Sequence, residues 1–152
     1  MLRAWVVAAV LTACSARGPL PSGHVEIVAG PAEGDVAGWV ERTQADLAAR
    51  GRTAVVYEGA TWCEPCRRFH EAALAGKLDA AFPTLTLLEF DADRDADRLA
   101  VAGYASRLIP FFAAPGDDGR ASGRGIEGGI KGDGAVDEIT ERLQSLVATR
   151  TR

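Results

Sequence analysis

Several features are scarce in this sequence, and each scarcity excludes something. Its 152 residues carry 17 basic and 21 acidic side chains, a formal charge of −4, so there is no basic excess to hold nucleic acid. The apolar run at the N-terminus, Ala4 to Leu11, falls far short of the roughly 20 residues needed to span a bilayer. No internal repeat is visible. Cysteine occurs only three times, an odd count that leaves one thiol over from any pairing. What is plentiful is apolar side chain, 47% of the chain, which is ample for one core at this length.

The N-terminus accounts for the odd thiol. Met1-Leu2-Arg3 makes a short positive start, and the apolar run behind it suits an export signal. Leu11-Thr12-Ala13-Cys14 resembles the lipobox of bacterial lipoproteins, which implies cleavage before Cys14 and lipidation of its thiol and new amino group. An ordinary secretory signal with an incidental cysteine is the alternative. On the first reading residues 1–13 are the signal peptide, 14–34 a tether and 35–152 the folded domain. Loss of Arg3 leaves sixteen basic against twenty-one acidic residues, a net −5. Each buried acyl methylene contributes about 0.8 kcal/mol and stable anchoring takes more than one chain, a condition that the implied triacyl anchor meets. Serine at position 15 resembles lipoproteins sorted to an outer membrane.

Residues 15–34 are rich in Pro, Gly and Ser and read as the tether, with Val25 to Val28 able to form a short edge strand. His24, alone in this segment, reads as a solvated side chain. Asp35 is an expected N-cap for a helix bearing Val36, Trp39, Val40 and Leu47, with Arg50-Gly51 closing it. Thr53 to Tyr57 reads as a strand covered on both faces. A helix follows the remaining two cysteines as far as Gly76, and Lys77 to Phe82 adds a turn before Pro83. Thr84 to Phe90 is a second strand, Asp91 to Asp97 leads into another helix, and Ile109 to Ala113 is a third strand opened by proline. The glycine-rich stretch 115–134 reads as a hairpin with a weak strand around Arg124 to Ile130. Val136, Ile139, Leu143, Leu146 and Val147 stripe the last helix. Strands alternating with helices predict an α/β fold, a three-layer α/β/α sandwich with a mixed central sheet.

The chemistry lies at the strand–helix junction Ala54 to Phe69. A thiolate attacks a disulfide where a thiol does not, and Cys63 at a helix N-terminus places that anion against unpaired N–H groups and the helix dipole. Cys66, one turn on, is close enough to close a disulfide and release the partner. Pro65 is tolerated in a first turn, and Trp62 is expected to cover the pair beside the docking surface. Arg67 and Arg68 favour the thiolate while Glu64 opposes it.

Ala60-Thr61-Trp62-Cys63-Glu64-Pro65-Cys66 resembles the active-site motif of the thioredoxin superfamily. Forty-four residues beyond Cys66, Ile109-Pro110 stands where that family has its cis-proline loop. The resemblance extends from Asp35 to about Ala148, and the break at Gly76 and the Asp91-Ala92-Asp93 ending are closer to small bacterial thioredoxin-like lipoproteins. It implies a thiol–disulfide oxidoreductase in which Cys63 attacks, Cys66 resolves, and the Ile109-Pro110 backbone pairs with bound polypeptide. A disulfide-containing protein would be the substrate. The export signal and lipobox would place the work in the periplasm or at the outer surface, and a reductant in that oxidising compartment needs a membrane electron-transfer partner as its electron source. Two departures stand out. Tyr57 occupies the position of the family's buried aspartate, with Glu58 beside it on the opposite strand face, and Leu87 is nearest the place of the family's lysine. The Glu64-Pro65 dipeptide resembles the Gly-Pro of reducing members.

Other readings are weaker. Cys63, Cys66 and His70 could together bind Cu(I) or zinc, which would make the protein a metal carrier, but this gives only three ligands. A structural disulfide closing a two-residue loop would stabilise little, and a redox-inert interaction domain on a tether is the remaining option. Gly123 to Gly128 matches the dinucleotide pattern GxGxxG without its strand-then-helix context, so no cofactor follows. Asp91, Asp93, Asp95 and Asp97 imitate a calcium loop but have Ala96 where glycine is needed and Ala102 where glutamate is needed. Helix capping explains those acids better.

Overall fold

The computed structural model describes residues 23–149; the expected signal peptide and Cys14 lie outside the described residues. Along them run β1 (Glu26–Ala29), α1 (Val36–Ala49), β2 (Thr53–Gly59), α2 (Glu64–Leu74), β3 (Leu85–Asp91), α3 (Ala92–Val101), β4 (Phe111–Pro115), β5 (Ala121–Glu127) and α4 (Ala135–Ala148). The strands form one sheet in the order β1-β3-β2-β4-β5. β3 pairs parallel with β1 and β2, whereas β4 pairs antiparallel with β2 and β5. The sheet is mixed, as expected.

Side chains alternate across the central strands and feed two cores. Val55, Tyr57, Leu85 and Leu87 face α2 and α4, where they meet Phe69, Ile139 and Leu143. Val56, Leu88 and Phe90 face the other way, against Val36, Val40 and Leu47 of α1 and Leu99 of α3. Both faces of β2 and β3 are therefore largely covered, which is why these strands read as nearly unbroken apolar runs; Glu89 of β3 is a partly open exception. Asp35 caps α1 by accepting the N–H groups of Ala37 and Gly38.

The edge strand allowed by residues 25–28 forms, held by a buried cation. Arg52 donates from Nε to Thr86 Oγ1 (2.8 Å) and from Nη2 to the His24 carbonyl (2.9 Å), with Glu26 Oε2 3.1 Å away. This binds β1 to β3 through side chains as well as the ladder.

Three boundaries differ from expectation. β2 runs two residues past Tyr57 because Glu58 and Gly59 continue the parallel ladder with β3. β4 begins at Phe111, not Ile109: the Ile109–Pro110 peptide is cis, Pro110 has no N–H to donate, and its carbonyl accepts from Gly128 N instead. β5 ends at Glu127, so its strand lies earlier than the expected 124–130. Gly128 has φ +71°, a left-handed conformation that breaks the extended run. After α2, the Lys77–Phe82 segment is a set of turns with one helical bond, Phe82 N to Leu78 O at 2.9 Å.

Candidate active site

The chain reaches the helix start in a tight turn after Gly59, with Cys63 N donating to the Ala60 carbonyl at 3.1 Å. Cys63 is the N-cap of α2, and its Sγ accepts the N–H of Cys66 at 3.3 Å. The sulfur thus takes the role an oxygen plays in ordinary caps, at the positive end of the helix dipole. Pro65 lies within the first turn. Cys63 and Cys66 are joined, with S–S 2.02 Å and Cα–Cα 5.2 Å. They are 5% and 2% exposed, with Ala60, Ala92 and Ile109 packed around them.

The surrounding charges are largely engaged. Glu64 accepts from Arg68 Nε and from Gly132 N at 3.2 Å, and the Arg68 hydrogen bond holds its carboxyl below the ordinary range. Arg68 also reaches Asp133 at 3.2 Å, while Arg67 pairs with Glu71 at 3.1 Å. With both arginines matched by carboxylates, the helix N-terminus is the remaining stabiliser of a Cys63 thiolate. Trp62 is 67% exposed, and its Nε1 donates to Asp93 Oδ2 at 2.9 Å, tying the indole to the start of α3.

Tyr57 and Glu58 face opposite sides of β2, as alternation requires. Tyr57 stacks on Phe112 with centroids 4.9 Å apart, and its hydroxyl donates to the Cys66 carbonyl at 3.4 Å. Burial, then the negative charge of Glu89, raises its phenol well above the ordinary range. On the other face Glu58 is buried and accepts from Ser106 Oγ at 2.7 Å. Burial raises its carboxyl, partly offset by Ser106 and reinforced by Asp95.

Glu89, which no motif singled out, comes forward here, and His70 and Asp95, read above as a metal ligand and a capping acid, take other places. Glu89 stands beside Tyr57 in the β2–β3 register, and His70 Nε2 lies 3.6 Å from Glu89 Oε1. Both line a cleft of about 370 Å³ together with Cys66 and Tyr57. A glutamate on an otherwise apolar strand, in step with Leu85 and Leu87, was the available signal for Glu89. Asp95 is wholly buried on the α3 side. His70 thus faces Glu89, and among the described residues no group of three or more His, Cys, Asp or Glu is placed to hold a metal ion. The ligand set of Cys63, Cys66 and His70 is not assembled.

A mixed sheet between two helical layers, a Cys-x-x-Cys disulfide at a strand–helix junction, and a cis-proline just before β4 define a thioredoxin-like fold. Solved structures bear this out. The chain is similar to a thioredoxin variant from Halobacterium salinarum (18% identity, TM-score 0.51), covering 89% of this chain and 97% of that one. It is also similar to thioredoxin F from spinach chloroplast in its short form (19% identity, TM-score 0.51, 86% and 96% covered). No protein-family model and no curated protein matches the chain.

Proposed function

We propose that this protein is an exported thiol–disulfide oxidoreductase, anchored through a lipidated Cys14 and working as a reductase of disulfide-containing proteins. The observation that carries the redox reading is the Cys63–Cys66 disulfide at the N-terminus of α2, with Ile109 of the cis Ile109–Pro110 pair packed against it. The export and anchor reading rests on the Leu11-Thr12-Ala13-Cys14 ending, and the reductive direction on the Glu64-Pro65 dipeptide.

In the reductive direction the Cys63 thiolate attacks one sulfur of a substrate disulfide, and the first substrate thiolate leaves. Cys66 then gives up its proton and attacks Cys63 Sγ. The Cys63–Cys66 bond forms, the mixed disulfide breaks, and the second substrate thiolate departs. The enzyme dithiol loses the two electrons that the substrate gains. In an oxidising compartment the dithiol must be regenerated, so a membrane electron-transfer partner completes the cycle.

Insulin-disulfide reduction by the protein, with Cys63→Ser as control, tests this reading. The wild type should turn over and the variant should not; equal rates would sink the enzyme. Cys14→Ser should move the protein from the membrane fraction to the soluble one, and continued membrane association would refute the anchor.

A further inference from the structure

The resolving step needs a base. Cys66 is 2% exposed, so bulk water does not reach its thiol readily, and Tyr57 stands where thioredoxin has an aspartate. A neutral phenol cannot accept the proton, and the Tyr57 hydroxyl is turned to the Cys66 carbonyl. Glu58, the acid of β2, lies on the opposite face with Ser106, and the cleft supplies what the Tyr57 face lacks. It is lined by Cys66 together with His70 of α2 and Glu89 of β3, which lie one turn after Cys66 and one strand across from Tyr57. Both side chains are only partly buried, and His70 Nε2 lies 3.6 Å from Glu89 Oε1.

We propose that the His70–Glu89 pair receives the proton that Cys66 must lose in the resolving step, passed through water along the cleft that all three residues line. This rests on the oxidoreductase reading above. A neutral imidazole nitrogen can accept a proton, and the Glu89 carboxylate 3.6 Å from Nε2 stands where it can share it. A cleft of about 370 Å³ has ample room for bridging water, each molecule taking about 30 Å³, and transfer through one water is ordinary general-base geometry. The step balances: the Cys66 S–H proton goes to the pair, the Cys66–Cys63 bond forms, and the electron pair of the broken mixed disulfide leaves on the substrate thiolate.

The other charged groups facing the cleft are committed elsewhere. Arg67 pairs with Glu71, and Arg94 with Asp95. Asp91 accepts the N–H groups of Asp93 and Arg94 as the cap of α3. Tyr57 adds only a protonated phenol. Arg67 and Arg94 are cations that already hold their protons, so the acceptor falls to His70 and Glu89.

The test uses the reduced full chain and Ellman's reagent. The first thiolate released reads attack by Cys63 and is bimolecular; the second reads resolution by Cys66 and is first order. General-base catalysis typically contributes about 10²–10⁴-fold, so Glu89→Gln and His70→Gln should each slow the second release at least about tenfold at pH 7. Their rates should rejoin the wild type in alkali, where hydroxide takes the proton. Glu89→Asp, which keeps the carboxylate, should recover part of the loss. Because the first release gauges the integrity of the site, a variant that misfolds is recognised by its loss, and the remaining variant carries the test. A second-release pH profile of the double glutamine variant that superimposes on wild type overturns the proposal and leaves the oxidoreductase standing. A wild type without any second release overturns both.

Discussion

The two faces of the sheet beneath the disulfide treat their acids in opposite ways. Toward α2, Glu89 and His70 sit partly exposed in a cleft shared with Cys66. Toward α3, Glu58 and Asp95 are buried, and Asp95 is held on all sides. Its Oδ2 accepts from Asp91 N (2.9 Å) and Arg94 Nη2 (2.7 Å), and its Oδ1 from Arg94 Nε (3.0 Å) and Arg98 Nη2 (2.5 Å). Arg98 also donates to the Pro31 carbonyl at 2.7 Å, so this network binds the segment before α1 to α3. Acids open to water can trade protons during a reaction; acids locked among donors can only hold structure. The comparison assigns proton traffic to one face and stability to the other.

The largest effect should come from breaking the locked face. Asp95→Ala leaves Arg94 and Arg98 without their shared carboxylate and Asp91 N without an acceptor. The loss should be about 3 kcal/mol, as for other broken buried pairs, read from urea unfolding. Acid should mimic part of it. Burial alone would raise the Asp95 carboxyl, but the hydrogen bonds from Arg94, Arg98 and Asp91 N hold it at about 2, against 3.8 for the unperturbed group. Because the folded-state value is depressed, this stability is present above about pH 4 and disappears as pH falls toward 2, a difference of about 2 kcal/mol. Asp95→Ala should lack that portion of the acid sensitivity. An unchanged acid limb would mean that the network is not what Asp95 stabilises.

The cleft face should break more gently at Gly59. A Cβ there would lie 2.5 Å from Tyr57 Oη, and the Tyr57 ring, stacked on Phe112 and wholly enclosed, has little room to retreat. Gly59→Ala should therefore cost about 1–3 kcal/mol, as overpacking usually does, and should loosen the hydroxyl from the Cys66 carbonyl. Urea unfolding gives the cost. A change below about 0.5 kcal/mol, the usual size for surface substitutions, would show that Tyr57 is less confined than its stacking implies.

These two faces also show where sequence reading succeeds. Covered strands announce themselves, so β2, β3 and the dithiol helix were legible from Val55, Val56, Leu87, Leu88 and Phe69 alone. Capping by Asp35 and Asp91 was legible because the acceptor and its N–H donors lie within three residues. The cleft was not. His70 offered itself only as a metal ligand beside the cysteines, and Glu89 carried no motif, because the pair exists only once the β2–β3 register and the pitch of α2 are both set. Asp95 looked like a first-turn acid because Arg94 and Arg98, which flank it, are equally at home in solvent. The β5 boundary failed for a different reason. Glycines weaken every strand signal, and only the observed φ at Gly128 says where the extended run ends.

A smaller effect separates burial from protonation. The Glu58 carboxyl is raised by burial, with Asp95 adding to the rise and Ser106 opposing it. A raised acid binds its proton more tightly in the folded state, so its contribution is full below the unfolded value and is lost as pH climbs through the folded one. Glu58→Gln keeps an acceptor for Ser106 and removes the charge. Its stability relative to wild type should therefore grow from pH 4 to pH 8 in urea unfolding. A difference independent of pH would mean that Glu58 is ionised at no cost and that this face is wetter than its burial indicates.

The smallest change in stability, and the sharpest separation of structure from function, belongs to Trp62. Its indole is 67% exposed and held by one hydrogen bond to Asp93, so Trp62→Ala should alter unfolding by no more than about 0.5 kcal/mol. Exposed aromatics beside a reactive centre earn their place by contact with a partner, and central aromatic contacts commonly contribute more than 1 kcal/mol to binding. The kcat/KM for insulin should then fall about tenfold, the equivalent of 1.4 kcal/mol, while thiolate release from a small disulfide reagent changes far less. Asp93→Asn, which leaves an acceptor for Nε1, should fall between Trp62→Ala and wild type. If the small reagent and insulin lose rate equally, Trp62 acts on the Cys63 thiolate and not on the protein substrate, and its exposed face is not the docking surface.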